Sequence, residues 1–316
     1  MDVLVVGNVI GRLTVIFDDY WNSPQAYPVE AVLGRSEEPA QAQLAFNRLV
    51  DEGDQMVAVA VPPMDMLGQR PIAQELDTGH IDLAWGAANA FADQPAKVMA
   101  TSAGEARAMS VQMNLMDRVA TSTRRVVISS PYFVPGREGV EAFSDLERRG
   151  VNVVILTNSL AANDVPLVHV GYARYRAALV RMGVELYELS PEGVSRNDLD
   201  VFPGMSHGRL HAKAAVIDDE TVYIGSMNLD PRSDSSNTEL GLFARCPELA
   251  RDIIRVIDAS RLQSSYRLRF AADGTALEWV ARRGSDDVVL TSEPEVTPLM
   301  RLRNILLTPF VPEQLL

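Results

Sequence analysis

Short apolar bursts recur along the chain at Val3 to Val6, Met56 to Ala60, Ile81 to Trp85, Val126 to Ser129, Val151 to Leu156, Val184 to Tyr187, Ala212 to Ile217 and Val222 to Ile224, and each predicts a strand. Between them, Ala40 to Val50, Gly104 to Ala120, Arg137 to Arg149, Pro166 to Met182 and Pro247 to Leu262 carry apolar residues at helical spacing. Gly150 and Gly183 close two of these helices, because glycine takes the left-handed conformation that ends a helix. Strand and helix in alternation predict α/β layers around a largely buried sheet. The polar run Thr121-Ser122-Thr123-Arg124-Arg125 marks a boundary between residues 1–120 and 121–316. Met109, Met113 and Met116 fit a helix core. Near the end, Leu299, Leu302, Ile305 and Leu306 recur at helical spacing, with Arg301 and Arg303 on other faces. So short a stretch favours a terminal helix docked on its own domain over one inserted in a membrane interface.

Composition narrows the class. With 316 residues and 47% hydrophobic content, the chain has ample apolar material for a core. No apolar run approaches the roughly 20 residues that span a bilayer. A net charge of −13 argues against a broad electrostatic grip on nucleic acid, and it leaves contact with anionic lipid local and apolar. Cys246 alone excludes an intramolecular disulfide and a cysteine zinc cluster; Arg245 and Pro247 beside it suggest a surface or helix-start position. Gly7 and Gly11 lack the rest of a dinucleotide fingerprint, which argues against a nucleotide cofactor.

The chemistry concentrates in one stretch. His211, Lys213 and Asp218 spell H-x-K-x4-D, followed by Gly225-Ser226-Met227-Asn228, Asp230-Pro231-Arg232-Ser233 and Asn237-Thr238-Glu239. On a strand, residues two apart share a face, so His211 and Lys213 point together. That pair suits a phosphodiester: Lys213 offsets the anion, while an imidazole attacks phosphorus or protonates a leaving alkoxide near neutral pH. Ser226 and Asn228 would add neutral donors to nonbridging oxygens. A carboxylate on one ring nitrogen fixes the tautomer of a catalytic histidine, so Glu239 is expected within hydrogen-bond reach of His211. Tyr132 and Phe133 fit either a pocket lining or aromatic packing, and His169 fits a packed or hydrogen-bonded helix position better than a site.

These motifs resemble the phospholipase D superfamily. Ser130 to Gly136, Leu156 to Leu160 with Asp164, His169 to Arg176 and, upstream, Phe17 to Ser23 are similar to bacterial cardiolipin synthases of the C type. The resemblance implies a phospholipase D-like layered α/β fold, with mixed β-sheets flanked by helices and two related halves. It implies catalytic roles for His211, Lys213 and Glu239, phosphate binding by Lys213, Ser226 and Asn228, and a structural place for Asp218 within the catalytic motif. Such enzymes build one site from two H-x-K-x4-D motifs, and no second copy surrounds His80, His169 or His207. Met1 to Gly7 resembles the strand that follows the first motif in relatives. The first half, residues 1–120, is therefore expected to be an incomplete remnant. The second histidine would come from a missing N-terminal segment or another subunit, with His211 as the acid that protonates the leaving alcohol. The implied function is phosphatidyl transfer in cardiolipin synthesis through a phosphohistidine, on phosphatidylglycerol or a similar phospholipid. The same resemblance implies peripheral contact with a bacterial membrane; the net charge leaves no nucleic-acid partner expected, and Lys and Asn donors that offset the phosphate charge leave no metal or other cofactor required. A hydrolytic phosphodiesterase, lipase or nuclease, and a silent fragment that binds lipid phosphate or a subunit remain the alternatives.

Overall fold

The computed structural model describes residues 3–33, 39–54, 63–65, 68–196, 209–284 and 286–308. The expected strand Met56 to Ala60 and His207 lie outside them. The chain divides into two compact units, residues 14–81 and residues 1–13 with 82–316.

Helix α1 (Val9–Trp21) runs from one unit into the other, and α2 (Val29–Leu33), α3 (Pro39–Asp54) and α4 (Ile72–Thr78) follow in the smaller unit. The expected helix Ala40 to Val50 is α3, whose Leu44, Phe46 and Leu49 are exposed. Gly79, with φ of 67°, ends α4 in the left-handed conformation. Val3 to Val6 is not a strand: the segment lies in irregular backbone with Val3, Leu4 and Val6 exposed, because an apolar burst becomes a strand only where a neighbour accepts its hydrogen bonds.

The larger unit holds a sheet of ten strands. Along the chain they are β1 (Ala87–Ala92), β2 (Arg125–Ser129), β3 (Asn152–Asn158), β4 (Glu185–Leu189), β5 (Ala214–Ile217), β6 (Thr221–Gly225), β7 (Leu240–Arg245), β8 (Ser265–Phe270), β9 (Leu277–Arg283) and β10 (Asp286–Leu290). The spatial order is β1-β7-β6-β5-β2-β3-β4-β8-β9-β10. Only β2, β3 and β4 run parallel, joined by the crossover helices α7 (Gly136–Arg148) and α8 (Pro166–Met182); all other pairs are antiparallel. The remaining helices are α5 (Ala103–Ala108), α6 (Val111–Ala120), α9 (Pro191–Arg196), α10 (Pro231–Ser235), α11 (Pro247–Gln263) and α12 (Pro298–Leu307).

Strand alternation sorts the core into two layers. Val126 and Ile128 of β2 with Val153 and Ile155 of β3 face α6, α7 and α8, where Val119, Leu146 and Leu179 meet them. Val127, Val154, Val216 and Val222 face the other way onto Ala250, Ile253 and Ile257 of α11. A sheet covered on both sides gives the near-continuous apolar runs of its central strands.

Several expectations shift. The single helix over Gly104 to Ala120 is two, because the Ser110 hydroxyl caps α6 by accepting from the Gln112 N–H at 3.1 Å. Val111, Leu115 and Val119 form its buried stripe, while Met113 is 41% exposed and not core. Ile81 to Trp85 is irregular, and β1 starts after Gly86, where a Cβ would sit 2.4 Å from the Arg245 carbonyl oxygen. Because β1 pairs with β7, residues 82–120 join the sheet-bearing unit, so the compact units do not divide at Thr121. Cys246 does stand at the start of α11, in the N-cap position and without a side-chain cap bond, but it is 3% exposed and so not on the surface. The C-terminal helix forms as α12, with Leu307 against the core; Leu299, Leu302, Ile305 and Leu306, however, point outward at 75%, 53%, 64% and 61% exposure.

Candidate active site

His211 and Lys213 lie in irregular backbone leading into β5, at the end of the sheet where β2, β3 and β4 also end. Asn158, the buried last residue of β3, fixes this approach: its Oδ1 accepts from the Leu210 N–H at 2.9 Å and its Nδ2 donates to the Leu210 carbonyl at 3.1 Å. The side-chain amide thus substitutes for a strand partner immediately before His211. The Gly225 N–H donates to the Lys213 carbonyl at 3.1 Å, which ties the end of β6 to the same segment.

Lys213 Nζ donates to the His211 main-chain carbonyl at 3.1 Å, and its charge is within reach of the His211 imidazole. The Lys213 charge, aided by partial burial, pushes the His211 imidazole below its usual range, and Asp164 opposes that shift. Burial lowers Lys213 itself, against the carboxylates of Glu239, Asp230 and Asp164. One ammonium therefore stands among three acids beside an exposed imidazole.

The two loops that frame this place are stitched together. The Ser130 hydroxyl donates to the Tyr132 carbonyl at 2.6 Å and accepts from the Leu229 N–H at 3.2 Å, while the Val134 N–H donates to the Leu229 carbonyl at 2.7 Å. Of the two aromatics between the prolines, Phe133 packs in the core and Tyr132 reaches outward, donating to Asp164 at 2.7 Å. Burial and the Asp164 carboxylate raise the Tyr132 phenol well above its usual range. Asn228 holds a buried Oδ1 with no hydrogen-bond partner among the described residues.

Glu239 differs from expectation. Neither ring nitrogen of His211 has a hydrogen-bond partner among the described residues, and Glu239 instead accepts from the hydroxyls of Ser226 and Ser233, the latter at 3.0 Å. With both oxygens engaged, the carboxylate sets Ser226 and acts on the charge of Lys213. Behind it lies a fully buried ion pair unforeseen from sequence: Asp93 and Lys97 at 2.6 Å. Lys97 donates to the Ser233 carbonyl at 2.8 Å, and Asp93 accepts from the Glu239 N–H at 3.0 Å. An Asp and a Lys four apart give no sign of this, since their other partners come from distant sequence.

Asp218 is at the opposite end of β5 from His211 and belongs to no catalytic cluster. With φ of 54° it sits in the β5–β6 turn, and its carboxylate accepts from the N–H groups of Thr123, Arg124 and Arg125. His169 is likewise structural, buried and 2.8 Å from Glu293.

Residues 115–260, from α6 into α11, match the family described as "Cardiolipin synthase, PLD-like domain". Residues 115–260 are thus similar to a phospholipase D-like domain. Cardiolipin synthase C of Escherichia coli strain K12 is 34% identical over 313 residues, which cover 97% of this chain and 64% of that relative. The chain thus spans just under two thirds of that protein. Among solved structures, a phosphatidylserine synthase of Haemophilus influenzae aligns over 97% of this chain and 61% of its own, with a TM-score of 0.48 and 14% identity. Nuc of Salmonella typhimurium, a phospholipase D family member, aligns over 58% and 99%, with a TM-score of 0.43 and 16% identity. His211, Lys213, Ser226, Asn228 and Glu239 all fall inside the matched phospholipase D-like domain.

Proposed function

We propose that the chain contributes half of a phospholipase D-type active site that transfers phosphatidyl groups between alcohols, as in cardiolipin synthesis. The observation that carries this is the Lys213 ammonium within electrostatic reach of the His211 imidazole, inside residues that match a phospholipase D-like domain, with Ser226 and Asn228 on the turn that follows Gly225, itself bonded to Lys213. The substrate is a phospholipid such as phosphatidylglycerol, held through its phosphate by Lys213, Ser226 and Asn228. A histidine from a second motif attacks phosphorus; the bond to the first alcohol breaks, and His211 gives that alcoholate its proton. The second alcohol then attacks the phosphohistidine, His211 takes back a proton, and the P–N bond breaks. Substrate binding prepares the acid. In the free site the Lys213 charge, with partial burial, lowers His211, but a phosphate anion between them offsets the ammonium and lifts the imidazole toward the protonated form needed for proton donation.

The test uses tungstate as a phosphate mimic, followed by NMR of the histidine Cε1–H signals. The His211 midpoint should move up on tungstate addition, and His211→Ala with Lys213→Ala should lose tungstate binding while keeping the thermal transition. Undiminished binding by the double variant would remove the phosphate from this position. Assay with phosphatidylglycerol in the presence of the second motif then separates transfer from hydrolysis, cardiolipin marking an alcohol acceptor and phosphatidic acid marking water.

A further inference from the structure

Among the described residues, no helix is long and apolar enough to cross a membrane. Helix α12 nevertheless presents an apolar face to solvent. At about 100° per residue, Leu299, Leu302, Ile305 and Leu306 fall within one arc of about 120°. Arg301 and Arg303 flank that arc on its two sides, both exposed.

The other faces of the helix are engaged. The Thr297 hydroxyl caps its first turn by accepting from the Met300 N–H at 3.2 Å, Leu307 packs into the core, and Arg174 of α8 donates to the Thr308 carbonyl at 2.9 Å. The helix is thus anchored on the domain by one side and apolar on the other. The two arginines make no ion pair among the described residues; Arg301 donates only to the Glu293 carbonyl, at 3.3 Å. The nearest tail carboxylates are occupied elsewhere, Glu293 by His169 and Arg176 and Glu295 by Ser190 and Tyr266. In a chain of net charge −13, an apolar stripe bordered by two uncompensated guanidinium groups is complementary to an anionic interface.

We propose that the outward face of α12 docks on an anionic phospholipid surface, the leucines and isoleucine entering the acyl boundary while Arg301 and Arg303 remain among the phosphates. The choice of partner rests on the phospholipid reading above. Because α12 packs on α8, and α8 starts just after Asp164 of the site, the docking helix and the site are joined through one element. The net negative charge elsewhere keeps the contact confined to this helix.

The experiment is flotation of the full chain with vesicles of phosphatidylcholine alone or mixed with phosphatidylglycerol. The wild type should float with the mixed vesicles. Leu302→Glu with Ile305→Glu should weaken partitioning by more than about tenfold, since it replaces two inserted apolar side chains with charges. Arg301→Gln with Arg303→Gln should weaken binding to the mixed vesicles on the order of tenfold, with little change on phosphatidylcholine, and should flatten the salt dependence. A polarity-sensitive dye on Leu302→Cys should shift to the blue with mixed vesicles; Cys246 is buried and leaves the label at one place. His211→Ala with Lys213→Ala should float like the wild type, so failure of the phosphate site and failure of the docking face read out separately. Flotation unaffected by Leu302→Glu with Ile305→Glu overturns the proposal. A change in sedimentation from dimer to monomer in that variant, without a change in flotation, also overturns it and assigns the face to a second copy.

Discussion

Two aspartates of the motif region carry opposite electrostatics. Asp218 is partly buried, which raises its carboxyl, yet the N–H groups of Arg124, Arg125 and Thr123 outweigh this and hold it below the ordinary value of 3.8. A depressed folded-state value adds stability above pH 3.8 that is lost as pH falls through the folded value. Asp218→Asn should cost about 1–2 kcal/mol at pH 7, discounted for a solvent-facing turn, and should blunt the acid limb of the stability curve. Tungstate affinity at His211 should not change, and a large loss of affinity would return Asp218 to the catalytic set. Asp230 is the reverse case. Burial raises it to about 6 despite the Ser233 N–H, which it accepts at 2.7 Å as the cap of α10. A raised value makes its contribution fullest below pH 3.8 and removes it as pH climbs through about 6. Asp230→Asn keeps a cap acceptor and no longer titrates, so it should be more stable than wild type at pH 7 by roughly 1–3 kcal/mol. Chemical denaturation at pH 4 and pH 7 checks this; a deficit at pH 7 would refute the burial argument.

At the scale of elements, what could be read from sequence depended on where the hydrogen-bond partners come from. The central parallel strands and their crossovers were legible because a sheet buried on both faces leaves long apolar runs, and because Gly150 and Gly183 stop α7 and α8 at φ of 79° and 115°. The outer strands β1 and β7 to β10 were not, since their identity follows from pairing with neighbours rather than from a strong pattern of their own. The same holds in the site. The short spacing of His211 and Lys213 keeps the ammonium near the imidazole, although both precede β5, whereas the engagement of Glu239 by Ser226 and Ser233 is tertiary. The Asp93–Lys97 pair is the extreme instance, both side chains fully buried and tying the β1 end to Ser233 and Glu239. Removing one partner of such a pair leaves a buried charge unmatched, so Lys97→Met should cost about 3–5 kcal/mol. Asp93→Asn in the same chain should recover a large part of it. A Lys97→Met variant as stable as wild type in urea would show that the pair adds nothing.

For the whole molecule, the decisive property is that phosphoryl transfer by the proposed route needs a nucleophile and a proton donor on opposite sides of one phosphorus. Among the described histidines of the sheet-bearing unit, His211 alone is in the site, since His169 is buried against Glu293. Loss of one member of a cooperating pair typically costs orders of magnitude in rate, because the remaining groups cannot complete the proton and bond changes alone. Residues 1–316 by themselves are therefore expected to show negligible phosphatidyl transfer or phosphodiester hydrolysis. Joined to a segment carrying another H-x-K-x4-D motif, the chain should become active, and His211→Ala in the joined protein should abolish turnover. A dimer that shares two copies of His211 is the competing solution, and concentration separates the two. If residues 1–316 alone turn over phosphatidylglycerol with a rate rising as the square of protein concentration, and lose that rate on His211→Ala, the second histidine comes from another copy. A high rate, strictly first order in a protein that sediments as a monomer, would require a nucleophile within one chain and would overturn the half-site proposal.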